Sequence, residues 1–269
     1  MFNSFQELMA DVRARFKSAP IVRPPRWQGV SVAGKPDMET YELLNYHFEL
    51  WLPDEDLDGY RNDIEPDIPW ADDHFEERVC GYPINPGTEW ANWRLGGPAD
   101  DFRGSDGRFN HNYMERIWPK YARKVPPAET VRGLGGSLVG LTPHRGILYD
   151  YGDLNDVVDL LQREPLTRQA YLPIFFPEDT GNVHRDRAPC TLGWHFIQRE
   201  GRLYVFYPLR SCDVTNHFHN DVYMAIRLLI WVLDRLRERD ADAWDLVTPG
   251  SLTMHITSFH CFRGQIRFL

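Results

Sequence analysis

The sequence predicts an α+β fold, with a mostly β-sheet core packed on one long buried helix and further helices outside it. Three observations predict it. First, TYELLNYHFELWL at 40–52 and SLTMHITSFHCFR at 251–263 alternate apolar and polar residues, the period of a half-buried strand. Second, TLGWHFIQ and RLYVFYPL read as a hairpin folded across Arg199-Glu200-Gly201. Third, the first half of DVYMAIRLLIWVLDRLRER at 221–239 is apolar nearly all round, as a central helix requires.

The other elements follow in order. Phe5, Leu8, Met9, Val12 and Phe16 recur at helical spacing and predict a first helix over 4–17. Prolines keep APIVRPPRWQGVSV extended, with a strand expected near 28–33. The acidic, proline-rich stretch 53–69 reads as a surface loop, and WADDHFEERV at 70–79 as a short helix. A Gly/Pro-punctuated segment with Trp90 and Trp93 follows, then an exposed loop at 99–108 and an ordered stretch at 109–122. The glycine-rich GLGGSLVGLTPHRG at 133–146 has neither the Lys-Ser/Thr ending of a phosphate-binding loop nor a strand-to-helix setting, so no cofactor role is expected there. Asp153 is the expected N-cap of the helix DLNDVVDLLQREP, and Pro165 its stop. LTRQAYLPIFFP reads as a buried strand, and Pro249-Gly250 as the turn into the last strand.

Length and composition narrow the function. The 269 residues, 42% hydrophobic and 13% aromatic, fit one domain spanning 1–269 with a sizeable core. A net charge of −9 argues against a nucleic-acid backbone as partner, but a few clustered arginines suffice for a small anion. No apolar run approaches the ~20 residues of a membrane span. The N-terminus lacks the apolar core and cleavage site of a signal peptide, so a cytoplasmic protein is expected. Cys80, Cys190, Cys212 and Cys261 are scattered without a CxxC pair, which reads as reduced thiols and not a disulfide frame or zinc site.

The stretch 187–223 concentrates candidate chemistry. Cys190 follows a proline, with Arg187 beside it and Arg210 across the hairpin, and positive charge is what lowers a thiol's pKa. Arg210 and Ser211 offer a guanidinium fork beside a hydroxyl, a pairing suited to a phosphate; the ordinary alternative is an Arg210–Asp213 salt bridge. HFHND at 217–221 holds two histidines, Asn220 and Asp221, but assembles no thiolate or carboxylate geometry for a divalent metal, so no metal is expected. Asp221 opens the buried helix, where the helix dipole alone would welcome an acid. Arg23 and Arg26 lie in an exposed loop, which could contact phosphate or simply be solvated.

In order and spacing these residues resemble the thymidylate synthase superfamily, nearest its pyrimidine-nucleotide hydroxymethylase branch. PC-T, a hairpin, RSxDV and then a helix form that family's nucleophile-to-phosphate block. Arg210 follows Cys190 by twenty residues, and RSCDVTNHFHND matches the branch's RSxDVxxxFxND without a gap. GSLTMHITSFHCF is similar to the sugar-binding strand, with His260 as the sugar contact. GDLNDVVDLLQREPLTRQA is similar to the segment that reaches across a homodimer, placing Arg168 at the partner's phosphate. RFNHNYMERIW resembles the tyrosine segment, with Tyr113, and PGTEWANW the segment ending at the folate-side tryptophan, Trp93. The likeness runs from about residue 70 to 263. Three features depart from the pattern. Gln169 stands where a second arginine is usual, and Phe262 where a tyrosine usually contacts the ribose. The catalytic acid is offered by Asp72 or Asp73; Glu76 and Glu77 are less well spaced, and Glu42 lies too far upstream.

The resemblance implies a thymidylate synthase-like fold and an enzyme acting on a pyrimidine nucleoside monophosphate. Cys190 would add to C6, with Tyr113 and Asp72 or Asp73 as further catalytic groups. Arg210, Ser211, Arg168 and Arg23 would hold the phosphate, Asn220 and Asp221 the base, and His260 the sugar. Trp93 and Asp213 would meet 5,10-methylenetetrahydrofolate, the one-carbon donor. A carboxylate at 221 suits cytosine, which presents an amino donor, whereas an Asn amide suits uracil. The expected reaction is therefore 5-hydroxymethylation of CMP or dCMP. The alternatives are methylation of dUMP and a nucleotide-binding regulator without turnover.

Overall fold

The structure is a computed structural model, and it describes residues 1–27, 30–85, 87, 109, 112–121, 152–180 and 188–269. The helices are α1 (Phe5–Phe16), α2 (Leu57–Ile64), α3 (Trp70–Arg78), α4 (Tyr113–Ile117), α5 (Leu154–Arg163), α6 (Pro177–Thr180), α7 (Phe218–Arg239) and α8 (Ala241–Trp244). The strands are β1 (Ile21–Val22), β2 (Arg26–Trp27), β3 (Val30–Ser31), β4 (Thr40–Trp51), β5 (Tyr171–Pro173), β6 (Gly193–Arg199), β7 (Arg202–Asp213) and β8 (Thr248–Phe262). The fold is α+β. The chain divides into two compact units, one of residues 1–67, 160–171 and 190–269, the other of 68–159 and 172–189.

The first unit is built on a six-stranded mixed sheet in the order β1-β4-β8-β7-β6-β5, which β5 enters at Tyr171. β4 runs antiparallel to β8, β6 antiparallel to β7, and β7 parallel to β8. The hairpin forms where expected. Its turn residues Glu200 and Gly201 have φ of 52° and 72°, the left-handed pair that a tight two-residue hairpin needs. The expected buried helix is α7, which packs on β7 and β8. Phe218 at its start packs 4.9 Å from Phe259, 5.6 Å from Phe5 and edge-on 5.7 Å from Phe48, joining α1, α7, β4 and β8 in one ring cluster. Each such ring pair adds about 0.5–1.5 kcal/mol beyond the area it buries.

The burial pattern of the sheet changes phase at the level of Asn45, whose φ is 57°. Below it, Tyr46, Phe48 and Leu50 of β4 and Leu252, Met254 and Ile256 of β8 are buried. Above it the buried positions of β8 slip by one residue, to Phe259 and Cys261, and those of β7 pass from Leu209 to Cys212. Leu44 is consequently 71% exposed. A period-2 strand that slips by one turns its side chains to the other face. Ser211, Ser258, His260 and Glu42, matched across the three strands, are thereby released from the core side of the sheet.

Four sequence expectations differ from the structure. Residues 57–64 are the helix α2 and not loop, because Asp56 caps it through the Asp58 N–H and Tyr60 and Ile64 are buried. The strand expected at 28–33 is instead the pair of two-residue strands β2 and β3. Pro249-Gly250 does not turn the chain; both lie inside β8, where Pro249 pairs with Leu203. A Cβ on Gly250 would sit 2.6 Å from the Tyr204 ring, so glycine is needed there for packing. The long strand expected from LTRQAYLPIFFP is only Tyr171–Pro173.

In the second unit, Asp153 caps α5 as expected. Its Oδ1 accepts from the Asp156 N–H at 3.0 Å, and Asp156 Oδ2 accepts from the Asp153 N–H at 3.0 Å. Arg116 makes a buried two-pronged pair with Asp179 at 2.9 and 2.8 Å and also donates to the Ile174 carbonyl. The glycine-rich segment 133–146 lies outside the described residues. Among the described residues, no helix is long and apolar enough to cross a membrane.

Candidate active site

Cys190 sits at the edge of the first unit's sheet, beyond the end of β6. Three contacts fix it. The Arg210 N–H donates to the Cys190 carbonyl at 2.9 Å, the Leu192 N–H donates to the Pro208 carbonyl at 3.0 Å, and Thr191 bridges Leu209. Below them the buried Thr191 hydroxyl meets the Tyr207 hydroxyl at 2.9 Å, and Tyr207 stacks 5.3 Å from Trp194. The apolar positions of β6 and β7 thus hold a half-buried thiol opposite Arg210, which is exposed at the end of the same ladder. Arg187, expected beside Cys190, lies outside the described residues.

On β7 and β8, Ser211 Oγ lies 3.4 Å from His260 Nδ1. Burial holds the His260 pKa below its ordinary value, against the pull of the Asp213 and Glu42 carboxylates, so the ring is neutral near pH 7. Phe262, which replaces the expected tyrosine, stands edge-on to His260 at 5.7 Å. Glu42 of β4 lies directly opposite His260 and accepts the Ser258 hydroxyl. Its position in the sequence gave it no expected role.

The helix residues separate into two kinds. The helix expected to open at Asp221 instead begins at Phe218, which puts Asp221 in the first turn of α7, and its N–H closes on the His217 carbonyl at 2.8 Å. Its Oδ2 lies 3.7 Å from the buried thiol of Cys212. Asn220 is buried and points to α2's end of the chain: its side chain accepts from the Asp67 N–H and donates to Asp67 Oδ2, both at 2.9 Å. The two histidines of this turn are placed differently. His217 precedes the helix, and His219 contacts the Ile64 carbonyl and the edge of Phe5. No cluster of three metal-ligating side chains occurs among the described residues.

Asp213 is engaged by its own turn. Oδ1 takes the Thr215 N–H, the Thr215 hydroxyl and the Asn216 N–H, and Oδ2 takes the Asn216 amide at 2.7 Å. These bonds use the carboxylate's capacity of roughly four acceptor positions. Trp93, the other residue expected at a folate, lies outside the described residues. Arg168 is exposed, with its carbonyl 3.1 Å from His195 Nε2. Arg23 pairs with Glu39 at 3.0 Å, and Glu39 also holds Arg263 at 2.8 Å; those arginines keep its carboxyl below the usual range. A cleft of about 250 Å³ lined by Arg23, Pro24, Lys35 and Glu39 contains none of Cys190, Arg210, Asp221 or His260.

In the second unit, Asp72 and Asp73 occupy the first turn of α3, Asp72 half-buried and Asp73 exposed, and both N–H groups bond the Pro69 carbonyl at 3.1 Å. The buried acid of that helix is Glu77, 1% exposed. His74 Nδ1 lies 3.2 Å from Glu77 Oε2, and Arg78 Nε donates to His74 Nε2 at 3.0 Å. A guanidinium only donates, so Nε2 accepts and the hydrogen of His74 sits on Nδ1, aimed at Glu77. Burial, with the charge of Arg78, holds the His74 pKa well below its ordinary value. The Arg78 guanidinium lies 4.7 Å over the ring of Tyr113. A Cβ on Gly87 would fall 2.1 Å from the Glu77 carboxyl carbon, so this acid is packed against glycine backbone. Sequence reasoning passed over Glu77; its signal was the i, i+3 and i, i+4 spacing of Glu77 and Arg78 from His74.

In comparisons with known proteins, no family model and no curated protein sequence matches the chain.

Proposed function

We propose that the chain transfers a one-carbon unit to C5 of a cytidine monophosphate, CMP or dCMP, and that the product is the 5-hydroxymethyl nucleotide. The observation that carries the proposal is the pinning of Cys190 opposite Arg210, on the strand that leads through Ser211 and Cys212 to Asp221. The geometry supports a division of labour. The Cys190 thiolate adds to C6 of the ring, which places negative charge at C5 and makes that carbon nucleophilic. Arg210 and Ser211 take the 5′-phosphate, the sugar lies toward His260, and Asp221 accepts from the cytosine amino group. C5 gives up its proton as it takes the one-carbon unit, the donor leaves as its reduced amine, water supplies the hydroxyl oxygen on the transferred carbon, and expelling the thiolate from C6 restores the ring and the free enzyme.

5,10-Methylenetetrahydrofolate is the donor that the family resemblance suggests, and it would supply an electrophilic methylene. No step is assigned to a folate contact, since Asp213 is satisfied within its turn. The proposal includes a homodimer. The sheet face away from α7 carries Trp51, Ile197, Tyr204 and Phe206, with Phe206 38% exposed, and a second copy would cover it and receive the exposed Arg168.

The test uses nucleotides tritiated at C5. Reversible addition of Cys190 to C6 makes the C5 hydrogen exchangeable, so tritium should pass from CMP or dCMP to water, faster with methylenetetrahydrofolate present. Release from dUMP alone would make the chain a thymidylate synthase. Binding of nucleotide without release from any of them would make it a regulator without turnover.

A further inference from the structure

Cys212 has no part in the chemistry above, yet its thiol reaches the carboxylate of the residue proposed to choose the base. It is 3% exposed and is fixed between strands, opposite Phe259. Its Sγ lies 3.7 Å from Asp221 Oδ2 and 3.7 Å from the Asp213 carbonyl oxygen. We propose that Cys212 is a positioning residue, whose S–H orients the Asp221 carboxylate for reading the pyrimidine base. This rests on the assignment of the Cys190 site to pyrimidine nucleotides.

Three arguments carry it. The main chain of Asp221 is fixed by its helical bond to His217, so only the side-chain torsions decide where the carboxylate points. A helix N-terminus favours negative charge there but does not choose between rotamers. The contact to β7 favours one of them, because it ties Oδ2 to a strand that cannot move without unzipping β7 from β8.

The second argument concerns the donor. Burial, with the Asp221 and Asp213 carboxylates beside it, pushes the Cys212 thiol far above its ordinary range. It therefore keeps its proton near neutral pH and stands as a donor, with Asp221 Oδ2 and the Asp213 carbonyl as its two acceptors. The third concerns strength. A thiol is a weak, uncharged donor. It turns the carboxylate without neutralising it, whereas an arginine in its place would hold the acid in an ion pair. Asp221 keeps the charge and the acceptor capacity that the cytosine amino group needs.

The experiment compares the full-length wild type, Cys212→Ala and Cys212→Ser. Affinities for dCMP and dUMP are measured by calorimetry, alongside tritium release from C5. Cys212→Ala should lower the preference for dCMP over dUMP by about fivefold to tenfold, the worth of one modest hydrogen bond. Cys212→Ser, which restores a donor, should recover most of that preference. An unchanged preference in Cys212→Ala overturns the proposal, as does a serine variant that behaves like alanine. If Cys212→Ala does not fold, the S–H stretching band of otherwise wild-type protein decides. Its difference spectrum against Asp221→Ala should show one thiol moving to higher frequency, and no movement overturns the proposal. Wild type that binds and exchanges no pyrimidine nucleotide would instead remove the site assignment itself, an outcome separate from the S–H band.

Discussion

The main-chain N–H of Arg210 donates to the carbonyl oxygen of Cys190 at 2.9 Å. The Cys190 main chain is therefore held by the Arg210 main chain, independently of the Arg210 guanidinium. Arg210→Ala should weaken nucleotide binding by about 10- to 100-fold, the loss expected for a hydrogen bond to a charged group. Stability should stay within about 0.5 kcal/mol of wild type, since the side chain is exposed. Calorimetric titration with dCMP and a urea melt check the two halves. A destabilised protein with unaltered affinity would make Arg210 a structural residue.

Asp221 has a base-reading role and an ordinary helix-terminal one, and a conservative change separates them. Asp221→Asn keeps a side chain that the helix N-terminus tolerates but replaces two acceptors with one acceptor and one donor. Tritium release from C5 should fall for dCMP and rise for dUMP, reversing the order of the two. The same order in variant and wild type would leave Asp221 as a favourable charge in the first turn and nothing more.

Asn220, one residue earlier, is expected to behave differently. Its amide satisfies both the main chain and the side chain of Asp67 while itself buried. Asn220→Ala should cost about 1–3 kcal/mol in a urea melt, because it removes a buried amide that satisfies the Asp67 N–H and carboxylate. The dCMP affinity of the folded fraction should not move. A tenfold loss of affinity without loss of stability would place Asn220 at the substrate.

The change of burial phase at Ser211 and His260 was written in the sequence as a slip of the apolar period. Leu252, Met254 and Ile256 step by two, then Phe259 and Cys261 resume out of step. Leu203, Val205, Tyr207 and Leu209 are followed by Cys212, and Tyr46, Phe48 and Leu50 are preceded by Leu43. Three strands slipping at one level is a sheet-wide feature, and a reading of each strand alone misses it. The hairpin, α1, α3 and α7 were legible because their periodicity is strong and local. α2 was not, since Gly59 and a cluster of acids mask two buried residues, Tyr60 and Ile64. Roles in the site divide along the same line. The spacing of Cys190 and Arg210 is a local ladder, whereas the pairing of Glu42 with His260 joins positions 42 and 260 through strand register alone.

The His74–Glu77–Arg78 network gives the protein an acid sensitivity of definite sign. His74 is fully buried and its pKa lies well below the ordinary 6.5, held there first by burial and then by Arg78. Below about pH 6.5 the unfolded chain takes up a proton at this position that the folded chain refuses. The unfolded state then binds more protons, so stability is full above about pH 6.5 and declines as the pH falls below it. His219 and His260, also depressed by burial, contribute with the same sign. His74→Gln keeps an acceptor for Arg78 and a donor for Glu77 but cannot titrate. Urea melts between pH 5 and 7 should show the variant's slope of stability against pH reduced by about 1.4 kcal/mol per pH unit, the value for one proton. Equal slopes in the two proteins would mean that His74 takes up its proton in the folded state, with Nε2 no longer accepting from Arg78.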